Sequence, residues 1–159
     1  MKYKENIGII GHPIGHSKSP IFQQVALNHH NINETFTAWD VKHEELPDIV
    51  KHFRTSDFIA SCITLPHKLN IMDHVDILTD TAKKVGAVNW IFNDEGTLTG
   101  HNTDCTGFIR SLKDQTDFDP NSKNALEQTF SQTVLFKFED PAERELIKVR
   151  IQDTFGVKL

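Results

Sequence analysis

The sequence predicts an α/β fold in which helices flank a mostly parallel sheet that contains one antiparallel strand. Two observations support this prediction. Short apolar runs alternate along the chain with segments whose apolar residues recur at helical spacing, as in strand–helix–strand units. Later in the chain, two apolar runs are separated only by Asn93-Asp94-Glu95-Gly96, which predicts a hairpin and therefore one reversed strand.

The first part of the chain predicts two strand–helix units. Residues 7–10 form a short apolar run and predict the first strand. Ser19 followed by Pro20 predicts the N-cap and the first residue of a helix. The apolar face of this helix consists of Ile21, Phe22, Val25 and Ala26. Residues 35–41 predict a second strand, and 44–54 predict a helix with Leu46, Ile49, Val50 and Phe53 on its apolar side.

The third predicted strand covers residues 58–65 and ends in front of a lysine. Pro66 terminates this strand, because proline cannot donate a hydrogen bond to a sheet and restricts the residue before it. Lys68 then projects from the carboxyl end of the strand, where open α/β sheets bind their ligands. The alternative is a loop lysine that is simply solvated.

The rest of the chain predicts further elements and two additional segments. Short helices are expected over 68–74 and 79–85, hairpin strands over 88–92 and 97–100, and a helix over 106–112. These elements complete an α/β domain over residues 1–113. Residues 114–124 are polar and predict a linker, and 125–159 predict C-terminal helices that pack back on the same domain. Their apolar stripe consists of Leu126, Phe130, Val134 and Phe138.

Composition excludes several classes of function. The net charge of −5 and the lack of a long Lys/Arg run argue against nucleic-acid partners, and no apolar run is long enough to span a membrane. The nine histidines form no HExxH motif or His/Cys cluster, so we expect no metal site. Cys62 and Cys105 lack the spacing of a disulfide framework, which indicates a reducing compartment, the cytoplasm.

Four polar clusters fall at predicted strand ends or helix starts. In a parallel sheet the carboxyl ends of the strands share one edge, so these hydroxyls, amides, lysine and carboxylate can converge there. Together they suit a small polyhydroxylated acid. Taken singly, Ser19 and Asp104 are also explained as helix caps, and Asn89 as a turn residue. The clusters are Ser17/Ser19, Thr64/Lys68, Asn89 and Asn102-Thr103-Asp104.

Four motifs in this order resemble the shikimate/quinate dehydrogenase family over roughly residues 5–112, the part that forms the family's substrate-binding domain. They are Gly11-x-Pro13-Ile14-x-His16-Ser17-x-Ser19-Pro20, Ile63-Thr64-Leu65-Pro66-His67-Lys68, Gly86-Ala87-Val88-Asn89 and Gly100-x-Asn102-Thr103-Asp104. The resemblance implies that Ser17 and Ser19 hold the substrate carboxylate. It further implies that Thr64, Asn89 and Asp104 bind ring hydroxyls.

The resemblance also makes Lys68 and Asp104 the catalytic pair for oxidation of a secondary alcohol. That reaction removes the hydroxyl proton while hydride leaves to a nicotinamide. A lysine accepts the proton only in its neutral form, which burial favours and a nearby carboxylate disfavours. The sequence leaves this balance open. It also leaves open whether the ligand is shikimate, 3-dehydroshikimate or quinate.

The sequence departs from the family pattern at three places. Cys62 stands where the family usually has Asn, which weakens one expected hydrogen bond to substrate, and Trp90 replaces a Thr. The residues after Leu112 contain a single glycine, Gly156, and no GxGxxG motif, so we expect no dinucleotide site in this chain. A returning helix of the family supplies a substrate-binding Gln, for which Gln132 is the candidate and Gln128 the alternative.

Three hypotheses follow. In the first, the chain is a substrate-binding domain that supports NADP-dependent chemistry only when a separate chain brings the cofactor. In the second, it is a non-catalytic binding or sensor module for shikimate or quinate. In the third, it is an inactive fragment.

Overall fold

A computed structural model describes residues 3–115, apart from the side chains of Leu112 and Gln115. By its internal contacts the chain divides into a unit of residues 1–106 and a unit of residues 107–159. The sheet and the site described below belong to the first unit, and the helix that begins at Asp104 continues into the second. The residues from 116 onward, which include most of the predicted linker and the predicted C-terminal helices, lie outside the described residues.

The described residues form six strands, five α-helices and two short 3₁₀ segments. The strands are β1 Ile7–Gly11, β2 Phe36–Asp40, β3 Ala60–Ile63, β4 Ile77–Leu78, β5 Trp90–Asp94 and β6 Thr97–His101. The helices are α1 Ser19–His29, α2 Leu46–Phe53, α3 His67–Asn70, α4 Asp80–Val85 and α5 Asp104–Gln115. The 3₁₀ segments are His43–Glu45 and Ile71–His74.

The strands form a single mixed sheet in the order β2-β1-β3-β5-β6-β4. The pairs β1–β2, β1–β3 and β4–β6 are parallel, whereas β5 runs antiparallel to both β3 and β6. β5 is therefore the one reversed strand among the described residues. This arrangement confirms the predicted fold class, including its single antiparallel strand from a hairpin.

The two faces of the sheet are covered by different helices. Ile10 and Ile63 contribute to a core with α2, and all four residues on the predicted apolar side of α2 are buried. Ile7 and Ile9 point to the other face, where Leu27 of α1 packs on them. The alternation of side chains along a strand explains why neighbouring residues of β1 serve opposite faces.

Helix α1 forms where it is predicted but meets the sheet with a different side. In the described part of the chain, Ile21, Phe22 and Val25 remain more than half exposed. The helix is oriented instead by Leu27 and by Gln24. The Gln24 carboxamide accepts a hydrogen bond from Phe36 N at 2.9 Å and donates one to Glu34 O at 3.0 Å. Gln24 thus satisfies backbone groups at the start of β2, the outermost strand of the sheet. Hydrophobic periodicity does not reveal this role.

The predicted N-cap at Ser19 is wrong by one residue, since Lys18 occupies that position and makes no side-chain cap. Ser19 instead donates its backbone N–H to Ser17 Oγ at 3.2 Å. The sequence prediction also missed strand β4, because two residues are too few to produce a periodic pattern.

Candidate functional site

Lys68 stands on the first turn of α3, directly after the turn that ends β3. Thr64 N donates to Ile10 O at 3.0 Å, which attaches the turn to β1. His67 N donates to Thr64 O at 2.9 Å, which closes the turn. The fully buried His67 ring adds a third anchor, with Nε2 donating to Val41 O at 2.6 Å. These bonds fix the start of α3 and hold Lys68 at the carboxyl edge of the sheet.

The Lys68 ammonium forms an ion pair with Asp104. Nζ lies 2.5 Å from Oδ2, and the two side chains keep 28% and 55% of their surface exposed. The other carboxylate oxygen, Oδ1, accepts a hydrogen bond from Asn89 Nδ2 at 2.8 Å. Both carboxylate oxygens are therefore engaged, so a ligand that enters this site meets a charge pair whose orientation is already set.

Asn89 and Thr103 complete the network around Asp104. Asn89 Nδ2 also donates to Thr103 Oγ1 at 2.8 Å, and Thr103 N donates to Asn89 Oδ1 at 2.9 Å. All three residues stand at the open end of the β5–β6 hairpin, because Asn89 precedes the reversed strand and Thr103 follows its partner. The reversed strand is thus the reason that Asn89 reaches the same edge as the carboxyl ends of the parallel strands.

The segment that delivers Asn89 begins with a glycine for a steric reason. Gly86 ends α4 with φ +70°, in the left-handed region that favours glycine. Val88 N then donates to Lys68 O at 2.9 Å, and Asn89 N donates to His101 O at 3.0 Å. The backbone next to Asn89 is thus bonded both to the lysine segment and to β6.

Thr64 and the two serines occupy the same edge of the sheet, around the end of β1. Gly11 leaves room for the Thr64 methyl group, since a Cβ at position 11 would lie 2.6 Å from Thr64 Cγ2. The following loop carries Ser17, whose N–H donates to Ile14 O at 2.9 Å, and Ser19 at the start of α1. All three hydroxyl-bearing residues are half-buried.

Cys62 is half-buried on β3, where it pairs with Ile9 on one side and Trp90 on the other. Burial, with a smaller contribution from the Asp104 charge, raises the pKa of the thiol from 9.0 to about 12. Cys62 therefore remains a neutral thiol at physiological pH, and a thiol is a weak hydrogen-bond donor.

Of the predicted site residues, Lys68, Asn89 and Asp104 are brought into direct contact. Ser17, Ser19 and Thr64 lie at the same edge in a neighbouring loop and turn, and Gln132 lies outside the described residues. Sequence reasoning named Asn102 and His67 within motifs but assigned neither a role of its own. Both are buried polar side chains, and their only sequence signal is membership in the motifs around Asp104 and Lys68.

Other classes of site are not found in the part of the chain that the structure describes. Residues 3–115 contain no group of three or more His, Cys, Asp or Glu side chains that could hold a metal ion. Within the same range, no helix is long and apolar enough to cross a membrane.

The fold and the site define a mixed α/β substrate-binding domain with an ammonium–carboxylate pair at the sheet edge. The chain belongs to the shikimate dehydrogenase substrate-binding domain family, whose family model matches residues 9–91. A shikimate dehydrogenase (NADP(+)) from Bacillus cereus is 41% identical over 110 residues, covering 69% of this chain and 40% of that protein. The chain spans about two fifths of the length of the curated relatives it matches.

Solved structures agree with this assignment. Shikimate 5-dehydrogenase from Thermus thermophilus, in complex with shikimate, matches with a TM-score of 0.66 and 36% identity, over 70% of this chain and 42% of that one. The ligand-free form of 5-ketofructose reductase from a Gluconobacter strain matches with a TM-score of 0.66 and 31% identity, over 72% and 42% of the respective chains.

Proposed function

We propose that this chain binds shikimate, 3-dehydroshikimate or quinate at the edge of the sheet that carries Lys68 and Asp104. In this proposal it supports NADP-dependent alcohol/ketone interconversion when a cofactor domain is supplied in trans. The observation that carries the proposal is the ion pair between Lys68 Nζ and Asp104 Oδ2, at 2.5 Å, with the Asn89 carboxamide on the other carboxylate oxygen. Relatives named as shikimate dehydrogenases, including one solved with shikimate, add support.

The chemistry of each group suits a polyhydroxylated cyclic acid. Ser17 and Ser19 offer two hydroxyl donors beside the start of α1, which suit the ligand carboxylate. Thr64, Asn89 and Asp104 offer a hydroxyl, an amide and a carboxylate for ring hydroxyls. Gln132 is proposed as a further contact to the ligand.

Lys68 and Asp104 are proposed to hold the proton of the reacting hydroxyl. Asp104 orients the hydroxyl and the lysine together, and the proton released on oxidation goes to Nζ when the lysine is neutral. NADP, when bound by another domain, supplies the hydride acceptor. Residues 3–115 contain no GxGxxG motif, the glycine pattern of a dinucleotide-binding turn. The proposal assigns the dinucleotide to a partner chain or domain, in the reducing compartment that the free cysteines Cys62 and Cys105 favour.

The test is calorimetric titration of the chain with shikimate, quinate and 5-ketofructose, the last because of the similarity to 5-ketofructose reductase. We expect binding of shikimate or quinate, lost in a Ser17→Ala/Ser19→Ala double variant. Ser56→Ala is the matched control, since Ser56 is an exposed serine whose hydroxyl bonds only to Asp57 among the hydrogen bonds of the described residues. No binding of either cyclic acid would overturn the proposal and leave the inactive-fragment hypothesis.

An NADP-reduction assay with shikimate separates the catalytic from the non-catalytic form of the proposal. We expect no turnover by the chain alone, and turnover once a separately produced cofactor domain from a relative is added. Turnover by the chain alone would contradict the proposed need for a partner. Binding that never yields turnover, with any partner domain, would favour the sensor module.

A further inference from the structure

Asn102 has a polar side chain that is almost completely buried. It lies between β6 and α5 and keeps only 1% of its surface exposed. Both ends of its carboxamide are nevertheless bonded. Nδ2 donates to Ala87 O at 3.0 Å, and Oδ1 accepts from Cys105 N at 3.2 Å. Burial of an amide is tolerated only when such partners are present, so this arrangement is specific to the geometry of these two backbone segments.

The two bonded backbone groups belong to the two segments that carry Asn89 and Asp104. Ala87 stands two residues before Asn89, and Cys105 directly follows Asp104. A single carboxamide therefore bridges the backbones on which these site residues stand. The side chains of Asn89 and Asp104 themselves contact each other, with Asn89 Nδ2 2.8 Å from Asp104 Oδ1.

We propose that Asn102 is a positioning residue for the ligand-binding pair Asn89 and Asp104, with its carboxamide setting the separation of their backbones. Its effect on the ligand rests on the proposed function, whereas its effect on Asn89 does not. A purely structural role, such as support for the start of α5, accounts for the bond to Cys105 N but not for the bond to Ala87 O. The Ala87 bond is therefore the one to remove.

Asn102→Asp replaces the donor of that bond by an oxygen and adds a negative charge, and the matched control described below adds the same charge. The Asn102→Asp substitution keeps the shape of the side chain and the oxygen that accepts from Cys105 N, but it turns an oxygen toward Ala87 O, which cannot donate. We expect shikimate affinity to fall at least tenfold. Asn102→Ser, which keeps a hydroxyl near the helix start but is too short to make both bonds, serves as the second variant if Asn102→Asp does not fold.

Asn93→Asp is the matched control, because Asn93 makes the same kind of bridge at the opposite edge of the sheet. Its Nδ2 donates to Thr55 O and Phe58 O, and its Oδ1 accepts from Gly96 N at 2.8 Å. We expect this control to lower the melting temperature by an amount similar to that of Asn102→Asp. It should leave shikimate affinity unchanged.

A readout without ligand separates this inference from the proposed function. Both Nδ2 hydrogens of Asn89 are engaged, with Thr103 Oγ1 and Asp104 Oδ1, so its side-chain amide should exchange slowly with solvent in NMR. Asn102→Asp should accelerate that exchange at least tenfold, whereas Asn93→Asp should not. If the rate of hydrogen exchange of the Asn89 side-chain amide is unchanged in both Asn102 variants, the inference is overturned. If the wild-type chain binds no shikimate, the proposed function fails. The hydrogen-exchange rate of the Asn89 side-chain amide then decides the role of Asn102.

Discussion

Lys68 and Asp104 are 36 residues apart in the chain, yet Lys68 Nζ and Asp104 Oδ2 lie 2.5 Å apart. The lysine comes from the turn after a parallel strand, and the carboxylate comes from the helix that follows the hairpin. The pair therefore exists only once the sheet has joined β3 to β5. It reports on the integrity of the sheet as well as on the chemistry of the site.

Asp104→Asn should weaken shikimate binding about tenfold to a hundredfold, because hydrogen bonds to charged groups contribute roughly 1.5–3 kcal/mol each. The free energy of unfolding should change by less than about 1 kcal/mol, since the ion pair is partly exposed. Calorimetry and urea denaturation measure the two quantities. Asp40→Asn is the control, because Asp40 pairs with His12 at the same edge of the sheet. Equal loss of affinity in the two variants would contradict a specific role for Asp104.

Gly11→Ala should lower both stability and ligand affinity. The added Cβ would lie 2.6 Å from Thr64 Cγ2 and 3.0 Å from Leu65 O, and the carbonyl belongs to the backbone of the lysine turn. Overpacking of this kind costs about 1–3 kcal/mol. Gly15→Ala, a few residues along the same loop, meets no atom within 4 Å and should have neither effect. Thermal unfolding and calorimetry of the two variants make the comparison, and identical behaviour would count against the crowding argument.

The two cysteines should react with iodoacetamide at very different rates. The pKa of Cys62 is raised to about 12, chiefly by burial, so at pH 8 only on the order of one thiol in ten thousand is ionised. Cys105 is exposed. Mass spectrometry over time should show Cys105 modified first. In a Cys105→Ser variant, Cys62 should be labelled only after denaturant is added. Prompt labelling of Cys62 in the folded variant would contradict its burial.

Asp76 should make stability depend on pH in the acid range. Hydrogen bonding to Arg54, at 2.5 Å and 3.1 Å, and to Leu98 N lowers the pKa of this carboxyl below its ordinary value of 3.8. A carboxyl with a lowered pKa in the folded state stabilises the protein above its unfolded pKa, and this stabilisation is lost as the pH falls through the folded pKa. Urea denaturation from about pH 7 to about pH 3 should therefore show a smaller decline in Asp76→Asn than in the wild type.

The control for that measurement is Asp48→Asn, which removes an exposed carboxylate whose partner Lys51 lies one helical turn away. Such surface pairs contribute little to stability. A pH profile that Asp48→Asn alters as much as Asp76→Asn does would show that general charge, rather than the Arg54 contact, governs the acid range.

Much of the fold was predictable because its elements have strong local signals. Helix α2 shows this best, since every residue on its predicted apolar side is buried. The hairpin was predictable for a related reason, because Glu95 and Gly96 both adopt positive φ and glycine is favoured there. The orientation of α1 was not predictable, since it depends on hydrogen bonds from Gln24 to a distant strand edge. Local pattern carries no information about such long-range contacts.

The candidate site was predictable to the extent that its residues lie in recognisable motifs. Lys68, Asn89 and Asp104 stood out because they lie at predicted strand ends or helix starts and within the four motifs. Asn102 belongs to one of these motifs, but the sequence gives it no separate role, because a buried asparagine and an exposed turn asparagine look the same in sequence. What distinguishes them is the pair of backbone groups that its carboxamide reaches, and those groups are positioned only by the fold.

The hairpin turn fixes the register of β5 and β6, and through this register it sets the relative position of Asn89 and Asp104. Asn89 and Asp104 extend from the open end of β5 and β6, while Glu95-Gly96 closes the other end, five ladder steps and ~17 Å away. Side chains on a strand alternate between the two faces of the sheet. A one-residue slippage at the turn would therefore carry Asn89 to the face opposite Asp104. Insertions and deletions in this remote turn should consequently impair the site as severely as mutation of Asn89 itself.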